Sequence, residues 1–395
     1  MVAADAAGFG FDRPNLAEWQ GRRGEKWSTY APDILPAWVA EMDFPVAPPI
    51  AAVLRSAWER SDLGYPRDAL DEGIPDAFAA RMEARFGWRV DPAAVVHLAD
   101  VVQGIYLAIS TLTSARAGVV VQTPIYPPFL DAVADNGRRL VENRLVAHAD
   151  AFEIDFDALA SAAGAGTEML LLCHPHNPTG RVFRREELER LAALALERDW
   201  IVVSDEIHAD LVFDRREHIP FASLAPEVER RTITLTSATK AFNIPGLRLA
   251  VAHFGDAELR RRFEAVPAHA RGGISLLGIH ATLAAWQESD AWLAAARAFL
   301  QERRDQLLAR LRERVPEAIC RVPEATYLAW VDGSGLPFEG DPAAFFHDRG
   351  RVAFSSGPNF GSGLESFFRI NFATSTSLVD EIVQRMEIAL GRAAR

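Results

Sequence analysis

Short runs of β-branched and aliphatic residues alternate with stretches of helical periodicity between about residues 50 and 285. The runs are Gly118 to Gln122, Met169 to Cys173, Ile201 to Ser204, Thr232 to Leu235 and Leu249 to His253. A run that is apolar at consecutive positions suits a strand buried on both faces, and intervening helices supply the crossovers. The pattern therefore predicts a mainly parallel sheet wrapped by helices. After Val182, residues Leu188, Leu191, Ala192 and Ala195 fall at i, i+3, i+4 and i+7. One helical face packs there, and Glu187, Arg190 and Glu197 are expected to face water.

From Ser289, the expected N-cap, a long amphipathic helix buries Trp292, Ala296, Phe299, Leu300, Leu307 and Leu311 and reads as a spine between two lobes. Beyond it come strand-like Thr326 to Val331 and Phe367 to Phe372, then a closing helix from about Ser377 to Leu390, the makings of a small α+β domain. A chain of 395 residues is too long for one compact core. The organisation expected is an N-terminal segment over 1–49 packed on the small domain, a large domain over 50–285 and the small domain over 286–395. There is no internal repeat, low-complexity tract or charge block.

Composition narrows the partners. With 42 basic and 54 acidic residues the formal charge is -12, which repels nucleic acid and anionic lipid. No segment approaches the roughly 20 apolar residues of a membrane span, and the N-terminus lacks a secretory pattern, so a cytoplasmic protein is expected. Cys173 and Cys320 suggest neither a disulfide framework nor a zinc site, and are expected to be buried bystanders. Lysine occurs only at Lys26 and Lys240, all other basic residues being arginine. Arginine cannot serve as a carbonyl-attacking amine, so a lysine kept inside a motif invites a chemical explanation. Base bias with two leftovers is the alternative, and Lys26 remains open to it.

Lys240 stands in Ser237-Ala238-Thr239-Lys240-Ala241-Phe242-Asn243, directly after the apolar run Ile233-Thr234-Leu235. That places it at the carboxyl end of a strand, where open α/β sheets bind ligands and partial desolvation lowers an amine's pKa. Ser237 and Arg248 flank it with groups that bind phosphate. Asp205, in Asp205-Glu206-Ile207-His208, ends another buried strand, and a buried carboxylate needs a cationic partner such as a protonated pyridine nitrogen. Taken alone, Asp205 equally suits an N-cap and His208 a hydrogen-bonded structural residue. His174-Pro175-His176-Asn177-Pro178-Thr179-Gly180 follows a third strand. Its two histidines have no third ligand at metal-typical spacing, and the prolines suit a turn that fixes Asn177; no metal is expected. Val101, Val102 and Gln103 open a helix whose free N–H groups suit an anion, and Tyr126 is placed to stack on a flat ring or to sit in a turn.

In this order along nearly the whole chain, the motifs resemble fold type I pyridoxal-phosphate enzymes of the class I/II aminotransferase superfamily. The resemblance implies the aspartate-aminotransferase-like fold, with a seven-stranded-type sheet in the large domain. It implies Lys240 as the Schiff-base lysine, Asp205 as the partner of the pyridinium, and Asn177 and His208 near the phenolic oxygen. Tyr126 becomes the stacking aromatic, Ser237 and Arg248 the phosphate ligands, and Arg369 the anchor of the substrate α-carboxylate. Gly64-Tyr65 resembles the family tyrosine that reaches the neighbouring subunit's phosphate, implying a homodimer. Leu35 to Phe44, Asp205 to His208 and Ala325 to Trp330 resemble the cystathionine β-lyase branch, whose substrates are cysteine thioethers. Gln103 departs from the valine or proline more usual in these lyases. The function implied is carbon–sulfur β-elimination, with an aminotransferase and a regulatory binding protein on the same fold as alternatives.

Overall fold

A computed structural model describes residues 6–13, 19–66 and 73–391. Among the described residues its large sheet has seven strands: β1 Val95–Leu98, β2 Gly118–Thr123, β3 Arg139–Arg144, β4 Thr167–Cys173, β5 Ile201–Asp205, β6 Thr232–Thr236 and β7 Ala250–Phe254. Their spatial order is β1-β7-β6-β5-β4-β2-β3, parallel throughout except that β7 runs antiparallel to both neighbours. The five runs read from the sequence are all present. β1 and β3 carry weaker signals: β1 has only four residues, and β3, an edge strand, alternates exposed Arg139, Leu140 and Arg144 with buried Val141 and Asn143.

Five of the helices bear on the placement of the site: α1 Val101–Leu112, α2 Pro127–Asp135, α3 Arg185–Glu197, α4 Asp290–Arg314 and α5 Thr376–Ala389. α1 lies close on the sheet because Gly104 lacks a side chain; a Cβ there would stand 2.8 Å from Leu98 Cδ1 and 2.9 Å from Leu235 Cδ2. Leu188, Leu191, Ala192 and Ala195 of α3 are buried as expected. Glu187 is not exposed, however. It is 6% accessible, accepts from Arg181 Nη2 at 2.6 Å and from the Arg184 N–H at 2.8 Å, and so caps the helix. Periodicity counted its charge but not the arginine that pairs with it. Ser289 precedes α4 but gives no capping bond, since its hydroxyl donates to the carbonyl of Ala284 at 2.9 Å.

The second sheet, β8 Ile319–Cys320, β9 Leu328–Asp332, β10 Ser355–Ser356 and β11 Phe367–Asn371, is antiparallel in the order β8-β9-β11-β10. Leu35–Pro36 pairs in parallel with Val352–Ala353. Phe11 packs its ring on Phe44, Trp292 and Phe299, so the N-terminal segment and α4 share one core.

Candidate active site

The carboxyl ends of β2, β4, β5 and β6 and the N-terminus of α1 meet around a cavity of about 520 Å³. β5 ends on Asp205, opposite Cys173 of β4 in the ladder. β6 is followed by Ser237 and the single helical turn Ala238–Ala241, which carries Lys240 inward. The Thr123-Pro124-Ile125-Tyr126 turn is tied to the Asn177 turn by the Tyr126 N–H donating to the Asn177 carbonyl at 3.1 Å. Gly180 closes that second turn at φ +71°, where a Cβ would meet Pro323 at 2.7 Å.

Lys240 donates to the carbonyl of Ala40 at 3.0 Å. Burial lowers its pKa to about 8 against the opposing pull of Glu41. Asp205 is pushed up to about 7 by burial, partly offset by the N–H of Ile207, which donates to its Oδ1 at 3.0 Å. His208, beside Asp205 in the lining, is pushed down to about 3 by burial and is thus a neutral imidazole; its Nδ1 has no hydrogen-bond partner among the described residues. Arg369 is buried behind the wall. It donates through Nη1 to Asn177 Oδ1 at 2.9 Å and through Nη2 to the Trp38 carbonyl at 3.0 Å and Ser355 Oγ at 3.2 Å. Burial lowers its pKa to about 10.

The opposite end is polar. Asp100 caps α1 by accepting from the Gln103 N–H at 2.7 Å and pairs with Arg248 through its other oxygen. The Ser237 hydroxyl donates to the Leu249 carbonyl at 2.5 Å and accepts from the Thr239 N–H at 3.1 Å. Val101 and Val102 line the cavity as the first two residues of α1.

The structure thus brings Lys240, Asp205, His208, Asn177, Tyr126, Ser237, Arg248, Val101 and Val102 together, with Arg369 against Asn177. Two expected members stand apart. Gln103 does not line the cavity: its N–H is held by Asp100, its Oε1 accepts from the Ala99 N–H at 2.9 Å and its Nε2 donates to the Arg271 carbonyl. Capping uses up the amide that was to face an anion. Tyr65 is fully exposed in its own chain and borders a separate depression formed with Ile274 to Leu277.

The sequence marked Leu35 to Phe44 by resemblance alone; in the structure Trp38 to Phe44 forms a strap whose Val39, Ala40 and Glu41 line the cavity. Asn371 Nδ2 holds the carbonyls of Val39 and Glu41 at 2.6 Å each, and Asn243 Nδ2 holds those of Met42 and Phe44 at 2.9 and 3.2 Å. Lys26 belongs to this scaffold: it is buried and donates to Asp43 Oδ2 at 2.8 Å and to the Glu41 carbonyl at 3.2 Å. Tyr327 donates its hydroxyl to the Ala40 carbonyl at 2.9 Å and sets its ring edge-on to His208. Cys173 is buried but also lines the cavity, so it is no distant bystander. His174 and His176 are taken up in packing: the His174 ring lies 4.7 Å from that of His218, and His176 Nδ1 bonds Thr179 Oγ1 at 2.8 Å.

A mainly parallel α/β sheet with a partly buried lysine and a buried carboxylate beside one cavity at its carboxyl edge has its ligand site where open α/β enzymes place it. The chain belongs to the aminotransferase class I and II family, whose family model matches residues 56–386. It is 33% identical over 377 residues to a cystathionine beta-lyase of Corynebacterium glutamicum, covering 95% of this chain and 99% of that protein. It is 32% identical to the cystathionine beta-lyase PatB of Bacillus subtilis, covering 91% and 93%. Among solved structures, the PLP-bound C-S lyase of Staphylococcus hominis, complexed with L-cycloserine, superposes with a TM-score of 0.88 at 28% identity, covering 96% of this chain and 98% of that one.

Proposed function

We propose that the protein is a pyridoxal-phosphate-dependent carbon–sulfur β-lyase that cleaves L-cystathionine or related cysteine thioethers. The observation that carries this reading is the placing of the Lys240 amine and the Asp205 carboxylate in one cavity, each with its charged form disfavoured by burial. Relatives named as cystathionine beta-lyases match over nine-tenths of the chain.

The residues present fit the cofactor. Asp205 is a buried carboxylate suited to a protonated pyridine nitrogen, and pairing would restore its ionised form. Val101 and Val102 at the start of α1, with Ser237 and Arg248, would hold the phosphate. Tyr126 would cover the ring, and Asn177 and His208 would meet its phenolic oxygen. Bound pyridoxal phosphate supplies an aldehyde for the substrate's amine and a ring that withdraws electrons from Cα.

The chain's own groups do the rest. Arg369 binds the α-carboxylate through its guanidinium fork, fixing the Cα–H bond toward Lys240. Lys240, with a pKa near 8, has an appreciable free-base fraction near neutrality and takes the Cα proton at Nζ. The Cβ–S bond then breaks and the thiol leaves. In the balance, the Cα–N bond also breaks, water supplies the carbonyl oxygen, and thiol, pyruvate and ammonium form in equal amounts. The active unit is a homodimer in which Tyr65 reaches the neighbouring subunit's phosphate. Its complete exposure in the single chain supports that role. The compartment proposed is the cytoplasm.

The test is release of thiol, pyruvate and ammonium from L-cystathionine without any keto-acid acceptor. Lys240→Ala should abolish the borohydride-sensitive visible absorption and cut turnover at least about a thousandfold. Turnover that requires an added keto acid and yields its amino product would establish an aminotransferase instead.

A further inference from the structure

Glu25 and Glu41 both line the cavity that holds Lys240. Glu25 opens the helical turn Glu25–Ser28, and Glu41 sits in the strap beside Ala40. The Glu41 carboxylate lies against Gly24, with Oε2 3.9 Å from where a Cβ of that glycine would be, so the two acids approach from adjacent backbone. Their field reaches the reacting amine, and that of Glu41 also reaches the Tyr327 hydroxyl. The nearby cations are accounted for: Lys26 pairs with Asp43 and Arg248 with Asp100, and Arg369 is the one that takes the α-carboxylate. His208 lines the same cavity with a neutral ring, which adds no charge to this space.

Once the α-carboxylate is on Arg369, the part of the substrate beyond sulfur enters a space whose uncommitted charges, among the described residues, are both negative. A like charge there is repelled in a partly desolvated mouth, and an opposite charge is drawn in. We infer that Glu25 and Glu41 select cysteine thioethers whose leaving thiol carries an ammonium or other cationic group, and reject those whose leaving thiol carries a carboxylate alone. The inference rests on the C–S lyase reading and names the substrate class of that site. L-Cystathionine, whose leaving thiol bears both charges, falls between the two extremes.

The holoenzyme would be assayed for thiol release from S-(2-aminoethyl)-, S-propyl- and S-carboxymethyl-L-cysteine, the propyl compound serving as reference for each enzyme. The three thiols differ as leaving groups, but identically for every variant, so a change in ratio between enzymes isolates the carboxylates. Glu25→Gln and Glu41→Gln together should lower the aminoethyl-to-carboxymethyl ratio of kcat/KM about tenfold, and added salt should lower it in the native enzyme. Glu25→Gln alone, at an exposed position, should move the ratio in the same direction and guards against a double variant that folds poorly. A ratio unchanged in folded variants overturns the inference while leaving the lyase reading in place. No thiol from any of the three with the native enzyme overturns the inference, and none from L-cystathionine either overturns the lyase reading as well.

Discussion

The amine of Lys240 donates to the backbone carbonyl of Ala40 at 3.0 Å, across 200 residues of chain. The same oxygen accepts the Tyr327 hydroxyl at 2.9 Å. The lysine after β6, the strap and the residue before β9 are therefore joined at one atom, which fixes where the amine rests. Tyr327→Phe should remove one donor, at a cost of about 1 kcal/mol, and let the strap carbonyl drift. We expect kcat to fall about tenfold with KM for cystathionine little changed, because Tyr327 positions the base rather than binding substrate. The alkaline limb of the kcat/KM profile should shift as well; a variant with native kcat and native pH profile would remove Tyr327 from the mechanism.

Asp205 and Lys240 make the cofactor-free protein respond to pH in opposite senses. Asp205 has its pKa raised to about 7 from 3.8, so the folded state holds its proton more tightly than the unfolded state. Stability is therefore lost as pH rises through that window. Lys240 has its pKa lowered to about 8 from 10.5, so the unfolded state holds more protons above pH 8 and stability rises there with pH. In cofactor-free protein at pH 8, Asp205→Asn should be more stable than native, by at most about 4 kcal/mol. The same variant should retain pyridoxal phosphate poorly. Denaturant melts of both proteins across the pH range check the sign, and equal stability at pH 8 would contradict it.

Tyr65 offers a subunit-mixing experiment. Tyr65→Ala and Lys240→Ala should each be nearly inactive as homodimers. Refolded together in equal amounts, they should regain about a quarter of native activity, because half the dimers are mixed and each then has one complete site. Mixed protein as inactive as its parents would show that Tyr65 serves only its own chain.

Arg369 combines two duties. Its guanidinium would orient substrate, and it also holds Asn177 and the Trp38 carbonyl. Arg369→Ala should abolish turnover while the visible absorption persists, and should cost stability of about 1–3 kcal/mol through the buried acceptors left unpaired. Arg369→Lys keeps charge but not the fork, so it should bind cofactor normally and still turn over poorly. Loss of the absorption in both variants would mean that Arg369 supports the cofactor end.

The sequence by itself determined five of the seven strands, since short β-branched apolar runs between helical stretches suit strands buried on both faces. It also determined the groups at the strand ends, since a lysine and an aspartate directly after such runs fall at the carboxyl edge. Short-range pattern carries that much because strand and turn are local. It did not determine partners set by packing. Glu187 looked solvated until Arg181 folded back onto it, and the hydroxyl of Ser289 turned to the carbonyl of Ala284. Gln103 gave its amide to the Asp100 cap. The strap was the least legible part, because Trp38 to Phe44 has no periodicity of its own. Asn243, Asn371 and Lys26 shape it by binding its backbone carbonyls, and only the tertiary fold brings those donors to it. Residue types and strand ends are local properties of the chain, whereas a roof over a cavity is a relation between segments hundreds of residues apart.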